Sequence, residues 1–216
     1  MLRTLTILFA FSLLFSNCRK TEYEPVTTDV GQAYFPLKVG QINMFSIDSV
    51  KYNAVGNTKD SVRKFIKEII TSVEAHSSGD STYRIELFST KDTSKGWNYS
   101  SYYFYSTNKY HVNFVTGGGS ITTDLVFPIS RGIRWNINSY NHKEPQNATY
   151  TLFSKPWMEY TNCLEVFVKE DINIVEESID KRVYSKNKGL VYKILSEVKI
   201  NNDIKNGFKI ITKRIE

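Results

Sequence analysis

The stretch that decides the fold class is residues 59–75, KDSVRKFIKEIITSVEA, in which two periodicities compete. Its apolar residues recur at the three- and four-residue spacing of one face of an amphipathic helix; they are Val62, Phe65, Ile66, Ile69, Ile70 and Val73. Its β-branched content and the hairpin-like connection NAVGNTKD (53–60) before it favour a strand instead. We predict a strand at residues 61–73, with an amphipathic helix as the alternative.

The rest of the chain consists of short β-rich runs separated by Gly, Asn and Asp turn signals, such as NKG at residues 187–189. Such spacing is typical of an antiparallel meander. We predict further strands at residues 41–52, 82–89, 99–106, 110–115, 121–127, 148–153, 163–169, 172–178, 181–185, 190–200 and 208–213. A sheet of that many strands must curl, split or close. The predicted fold class is therefore mainly β, a single antiparallel and strongly curved sheet that forms a half-barrel, a barrel or a sandwich-like pair of layers.

Composition and charge narrow the class of partner. Tyrosine (14 residues) and phenylalanine (13 residues) are abundant, which agrees with strands rather than helices. The formal net charge is +6, but the basic residues are scattered along the chain. Proteins that bind nucleic acid usually concentrate such charge in one stripe or helix. We therefore expect no nucleic-acid partner.

The N-terminal residues 1–18, MLRTLTILFAFSLLFSNC, have the anatomy of an export signal. A positive charge at Arg3 precedes an uncharged apolar run, which is too short for a bilayer-spanning helix of ~20 residues. The predicted organisation is a signal peptide at residues 1–17, a flexible tether at 18–33 and a β-rich domain at 34–216. Residues 19–32 contain few large apolar side chains and include Pro25 and Gly31, as a tether does.

The end of the apolar run resembles the lipobox of bacterial lipoproteins in Leu14, Ser16 and Cys18. The resemblance implies that Cys18 carries lipid and anchors the chain in the bacterial cell envelope, at the outer membrane, on either its periplasmic face or the cell surface. Two or more acyl chains give a stable anchor, whereas one alone binds only marginally. The alternative is an ordinary secretory signal with an incidental cysteine near the cleavage site.

Three stretches are similar to an uncharacterised group of lipoproteins from Bacteroidota-type bacteria. They are YFPLKVGQINMFSIDSV (34–50), LVFPISRGIRWNINSYN (125–141) and RVYSKNKGLVYKI (182–194). The resemblance implies a β-rich exported domain, and this also favours the strand interpretation of residues 61–73. It implies no known activity.

The sequence offers no pattern of residues typical of catalysis or metal binding. His76, His111 and His142 are isolated, without the short spacing that lets two histidines hold one metal ion. Cys163 lies in a strand-like context and is expected to be a packing residue. Ser120 follows three glycines but lacks the second half of a nucleophile elbow. We therefore predict a protein that is not an enzyme and that has no metal and no cofactor.

The most suggestive stretch for binding is GWNYSSYYFYSTNKYHVNF, at residues 96–114. On a strand, Tyr103 and Tyr105 share one face and Tyr102 and Phe104 the other. One face would join the core, and the other could form an aromatic platform, although simple packing on the sheet is the favoured interpretation. The candidate ligand contacts are Trp97, Tyr103, Tyr105 and Trp135.

Two functional hypotheses follow for an envelope protein without catalytic residues. The first is a binding or assembly module that meets another envelope protein. The second is a binder of a small apolar or glycan ligand within a concave, aromatic-lined sheet. An enzyme has no support in the sequence.

Overall fold

The computed structural model describes residues 30–215, which contain one sheet of twelve antiparallel strands. The predicted signal peptide, Cys18 and residues 18–29 of the predicted tether lie outside the described residues. The strands are β1 Ile42–Asn53, β2 Thr58–Ala75, β3 Ser81–Thr90, β4 Asn98–Thr107, β5 His111–Thr116, β6 Ile121–Val126, β7 Arg134–Asn136, β8 Asn147–Trp157, β9 Tyr160–Ile172, β10 Glu176–Ser185, β11 Gly189–Asn201 and β12 Ile204–Arg214. Single 3₁₀ turns occupy Gln32–Tyr34, Val55–Asn57 and Thr93–Lys95.

The strands follow one another as hairpins, and the first strand also pairs with the last. The order across the sheet is β6-β5-β4-β3-β2-β1-β12-β11-β10-β9-β8-β7. β1 therefore joins the two halves of the chain, and β6 and β7 are the two edges. The sheet curls until these edges approach, which gives a nearly closed barrel. The predicted mainly β fold with a single curved antiparallel sheet is confirmed.

Side chains and isolated backbone bonds close the seam between the two edges. The Thr123 amide donates to the Ile137 carbonyl at 2.9 Å, and Trp135 Nε1 donates to the Thr123 carbonyl at 3.1 Å. The Tyr150 hydroxyl donates to the Val126 carbonyl at 2.7 Å and accepts from the Val126 amide at 2.9 Å. Edge-strand groups that lack a ladder partner are thereby satisfied.

The ambiguous stretch is a strand, as predicted, and it is longer than predicted: β2 covers Thr58–Ala75. Ile66 and Ile70 are buried on the inner face of the barrel. Phe65 and Ile69 are only partly buried, on the opposite face. The apolar residues therefore serve both faces of a strand, and neighbours β1 and β3 supply the hydrogen bonds that a helix would have made within itself.

Two strand predictions were wrong in detail. The predicted strands 172–178 and 181–185 overlap a single strand, β10, whereas Ile172 ends β9 and residues 173–175 form a bend between the two strands. The Asn173 side chain fixes that bend, since its Oδ1 accepts from the amides of Val175 and Glu176. The short strand β7 was not predicted, because Trp135 alone gives a three-residue segment no periodicity.

Residues 30–41 lie across one end of the barrel. The Phe35 ring packs on Tyr105 at 4.6 Å and on Tyr184 at 5.9 Å between ring centroids. The Asn187 amide donates to the Ala33 carbonyl at 2.7 Å, so part of the segment assigned to the tether is packed against the barrel. The apolar side chains of this segment close one end of the barrel.

Candidate ligand cavity inside the barrel

A cavity of about 650 Å³ lies inside the barrel. Inward-facing residues of β1–β6 and β10–β12 line it, together with the segment that follows β7. One end of the cavity is formed by Tyr105 and Tyr184, which contact Phe35 of the segment that closes the barrel. The other end is an open mouth, where Lys64 and Lys143 are exposed. Its volume falls within the range of small-molecule sites, about 300–1,000 Å³.

One part of the cavity lining is apolar and aromatic. The aliphatic and phenyl side chains are Phe45, Ile47, Ile66, Leu87, Leu190 and Leu195. Beside them, Tyr103 lies 4.9 Å from Phe114 and 5.3 Å from Tyr105 between ring centroids. Burial raises the pKa of the Tyr103 and Tyr105 hydroxyls well above the ordinary value, so both rings stay neutral. This surface suits the apolar body of a ligand.

A charged cluster forms another part of the lining, and it consists of Asp124, Asp180, Arg182 and Lys193. Arg182 Nη1 donates to Asp124 Oδ1 at 2.7 Å, and Arg182 Nη2 lies 3.5 Å from Asp180 Oδ2. Lys193 pairs with Arg182 in the β10–β11 register. Burial by itself lowers the pKa of Arg182, but the two carboxylates outweigh it and raise this pKa. The pKa of Lys193 is lowered, first by the charge of Arg182 and then by burial.

The charged cluster is not fully hydrogen-bonded within the described residues. Arg182 Nε and Asp180 Oδ1 are both buried, and neither has a partner among residues 30–215. The two side chains are only 8% and 7% exposed. Buried polar atoms of native proteins are nearly always hydrogen-bonded, so such atoms in a cavity wall mark a place where a ligand can contribute.

Glu68 lies between this cavity and a small recess of about 40 Å³ behind it, lined by Phe35 and Arg214. Burial raises the pKa of Glu68 to about 7, although hydrogen bonds from Tyr103 and Asn43 and the charge of Arg214 oppose the shift. Glu68 is therefore a partly protonated group near neutral pH.

The structure brings two of the four predicted contact residues together in the cavity, Tyr103 and Tyr105. Trp97 lies on the outer face, where the Lys67 ammonium sits 5.0 Å from its ring. Trp135 is buried in the seam and packs on Tyr150 at 4.8 Å. Neither tryptophan lines the cavity.

The charged cluster was not anticipated from the sequence. A signal was present in SIDKRVYS (178–185), where Asp180 and Arg182 stand two apart on a strand and hence on one face. Which face they occupy, and that Asp124 reaches them from a position 58 residues earlier, depends on how the barrel closes.

Other reactive residues form no second site among the described ones. No group of three His, Cys, Asp or Glu side chains within residues 30–215 could hold a metal ion. Cys163 is fully buried, and burial raises the pKa of its thiol. Ser120 closes a hairpin loop, with its carbonyl accepting from the Thr116 amide at 3.0 Å. Over the described part of the chain, no helix has the length and apolar character needed to cross a membrane.

A shallow apolar groove of about 450 Å³ lies on strands β1, β2 and β12, away from the cavity. Val62 and Phe208 line it and are 50% and 37% exposed. Exposed apolar surface of this kind often marks a contact with another macromolecule.

The chain matches no protein-family model, and a search of curated proteins found no significant similarity.

Proposed function

We propose that this protein is a non-catalytic binding module that holds a small amphipathic molecule inside its barrel. The observation that carries the proposal is the 650 Å³ cavity, which combines an apolar and aromatic surface with an incompletely bonded charged cluster. A barrel interior that only served stability would be filled by side chains. An apolar pocket with a few converging polar groups is the usual form of a small-molecule site.

The proposal places the chain at the bacterial cell envelope, anchored by lipid on Cys18. This part rests on the N-terminal sequence alone. Its test is the intact mass of the protein purified from a bacterial membrane, beside a Cys18→Ser variant. A mass of residues 18–216 plus acyl chains, absent from the variant, is the expected result. An unlipidated and freely soluble wild-type product would refute the anchor.

Cavity binding is tested by filling the cavity from one strand position. Thr212 lines the cavity, and its neighbour Lys213 is exposed. Since adjacent residues of a strand point to opposite faces, Lys213→Trp is a matched control for Thr212→Trp. The probe is Nile red, a neutral apolar dye whose fluorescence rises when it leaves water.

We expect wild-type protein and Lys213→Trp to bind the dye alike and Thr212→Trp to bind it about tenfold more weakly, because an indole would occupy the ligand volume. Ser101→Trp, at the exposed mouth, is a second blocking variant should Thr212→Trp not fold. Equal dye binding by all four proteins, or no binding by any, would refute the proposed function.

Assembly with another envelope protein is the second candidate, favoured by the exposed groove at Val62 and Phe208. It predicts that Val62→Lys changes assembly and leaves dye binding intact. Cross-linking of wild type and variant in intact bacteria distinguishes the two candidates, since only assembly through the groove would give a cross-linked species that Val62→Lys removes.

A further inference from the structure

The charges of the cluster inside the barrel cancel. Asp124 and Asp180 each carry a negative charge, and Arg182 and Lys193 each carry a positive one. Arg182 lies between the two carboxylates, at 2.7 Å and 3.5 Å, and Lys193 stands opposite it in the strand register. An ionic ligand head placed here would add one unpaired charge to a largely buried and balanced set, which is unfavourable.

The other charged residues of the lining leave this balance nearly unchanged. Glu197 is paired with Lys169 outside the cavity and accepts a hydrogen bond from Ser178. Lys64 and Lys143 are exposed at the mouth, where solvent and salt screen them. Glu68, towards the closed end, is partly ionised near neutral pH, and the opposite charge of Arg214 in the recess behind it balances that charge.

The missing hydrogen bonds of the cluster are of opposite kinds. Arg182 Nε can only donate, and Asp180 Oδ1 can only accept. The Lys193 ammonium, which also can only donate, lies in the same wall beside Arg182 and has three N–H donors. A hydroxyl group both donates and accepts, so neighbouring hydroxyls on one ligand would complement all three groups without adding charge.

The aromatic side chains of the cavity complete the requirements for a ring-shaped polar ligand. Tyr103 and Phe114 lie on β4 and β5, which are far from β10 and β11 in the strand order and so face them across the barrel. A sugar ring has apolar C–H faces and a hydroxylated rim. Its faces could pack on the aromatic rings while its rim meets the charged cluster.

From this arrangement, we propose that the cavity selects a ligand with a neutral polyhydroxylated head, a sugar, whose hydroxyls bind at Asp180, Arg182 and Lys193. The apolar lining at Ile66 and Leu195 would accept an attached alkyl chain. The inference rests on the proposed function, because it names the ligand class for the same cavity. A free sugar and a glycolipid head share this chemistry.

The test compares three amphiphiles that carry the same octyl chain, each competing with Nile red below its micelle concentration. Octyl glucoside has a neutral polyol head, octanoate an anionic head and octyltrimethylammonium a cationic head. We expect octyl glucoside to compete about tenfold better than either ion, because each ion leaves a charge unpaired in the cavity. Its affinity should change by less than about twofold between low and high salt. Methyl glucoside separates the two sources, since it competes as well as octyl glucoside only if the free sugar suffices.

Two substitutions shift the charge of the cluster in opposite directions. Asp180→Asn makes it positive and should move the preference towards octanoate, whereas Lys193→Gln makes it negative and should move it towards octyltrimethylammonium. Lys181→Gln is the control, because Lys181 lies on the opposite face of β10 and pairs with Glu170 outside the cavity. Each expected shift is about tenfold relative to the other ion. Thermal unfolding verifies that the variants fold. If Asp180→Asn does not fold, Lys193→Gln still provides the test, because Lys193 is only half-buried.

The outcomes separate this inference from the proposed function. If Thr212→Trp blocks Nile red, the cavity binds ligands. In that case the sugar inference is wrong if an ionic amphiphile competes better than octyl glucoside. It is also wrong if the two cluster variants leave the order of affinity of the three amphiphiles unchanged. If Nile red does not enter the cavity at all, the proposed function itself is refuted.

Discussion

Arg182→Met is the substitution with the clearest expected consequence for folding. It leaves two carboxylates in the barrel interior without their shared cation, and their side chains are only 11% (Asp124) and 7% (Asp180) exposed. Breaking a buried ion pair by removing one partner costs about 3–5 kcal/mol. Lys193 remains beside the carboxylates and can compensate one of them, and Arg182 leaves one donor unpaired in the wild type. We therefore expect a loss of about 3 kcal/mol, at the lower end of that range.

The loss can be measured by urea unfolding followed by tyrosine fluorescence. For a domain of this size, a loss of about 3 kcal/mol in the free energy of unfolding lowers the melting temperature by about 6–12 °C.

A triple variant isolates the cause. Asp124→Asn and Asp180→Asn, added to Arg182→Met, remove the unpaired charges while keeping similar side-chain volumes. We expect the triple variant to regain most of the lost stability, because replacing a whole buried ionic set is far less costly than breaking it. A stability of Arg182→Met within about 1 kcal/mol of wild type, or a triple variant no more stable than the single one, would refute this account of the cluster.

Three further predictions concern the pH dependence, the β11–β12 hairpin and the seam. Glu68 has a pKa of about 7 against an ordinary value of 4.5, so the folded state holds its proton more tightly than the unfolded state does. The resulting stabilisation is complete below pH 4.5 and is lost as the pH rises through 7, by up to about 3 kcal/mol. Glu68→Gln should remove this part of the pH dependence of stability, measured by urea unfolding. Gly207 has φ +132°, and a Cβ there would lie 1.9 Å from the Glu197 carbonyl oxygen, whereas Gly40 has φ +86° and no atom within 4 Å of its Cβ position. Gly207→Ala should therefore lower the melting temperature much more than Gly40→Ala does. Equal effects would show that the contact with Glu197, as opposed to backbone strain, costs nothing. Tyr150→Phe removes the hydroxyl that bonds both the amide and the carbonyl of Val126, and it should lower the free energy of unfolding by about 1–3 kcal/mol. Tyr102→Phe, on the exposed face, should change it very little. If Tyr150→Phe has an effect as small as that of Tyr102→Phe, the hydrogen bonds across the seam contribute little to stability.

The fold could be predicted from sequence wherever local chemistry was decisive. Turn residues such as Asn187 and Gly189 separate runs whose β-branched and aromatic side chains favour strands, so the meander followed from local preference. The strand predicted at residues 61–73, despite its helical spacing, is confirmed; β-branched content, the hairpin-like connection before it and the family resemblance favoured it over a helix. The errors at Asn173 and at β7 were local, because a side-chain-capped turn and a three-residue strand leave little periodic signal.

The candidate site could be predicted only in part. Tyr103 and Tyr105 were found because a strand places both on one face, and their strand is rich in aromatic residues. Trp97 has the same composition signal but lies on the outer face over Lys67, since the side of the sheet that becomes the interior is set by the direction in which the sheet curls. Asp124 and Arg182 met only because that curl brings β6 near β10.

The sequence alone therefore determined most of the strands and the hairpins that join them, since each depends on residues close together in the chain. The export and anchor signal at Cys18 stays a prediction from the sequence. The tertiary structure decided that the sheet nearly closes, that Phe35 stops one end of it, and that four charged side chains share one cavity wall. These features depend on pairings between distant residues, such as β1 with β12 and Asp124 with Arg182, and no local pattern specifies the partner of a strand edge or of a buried charge.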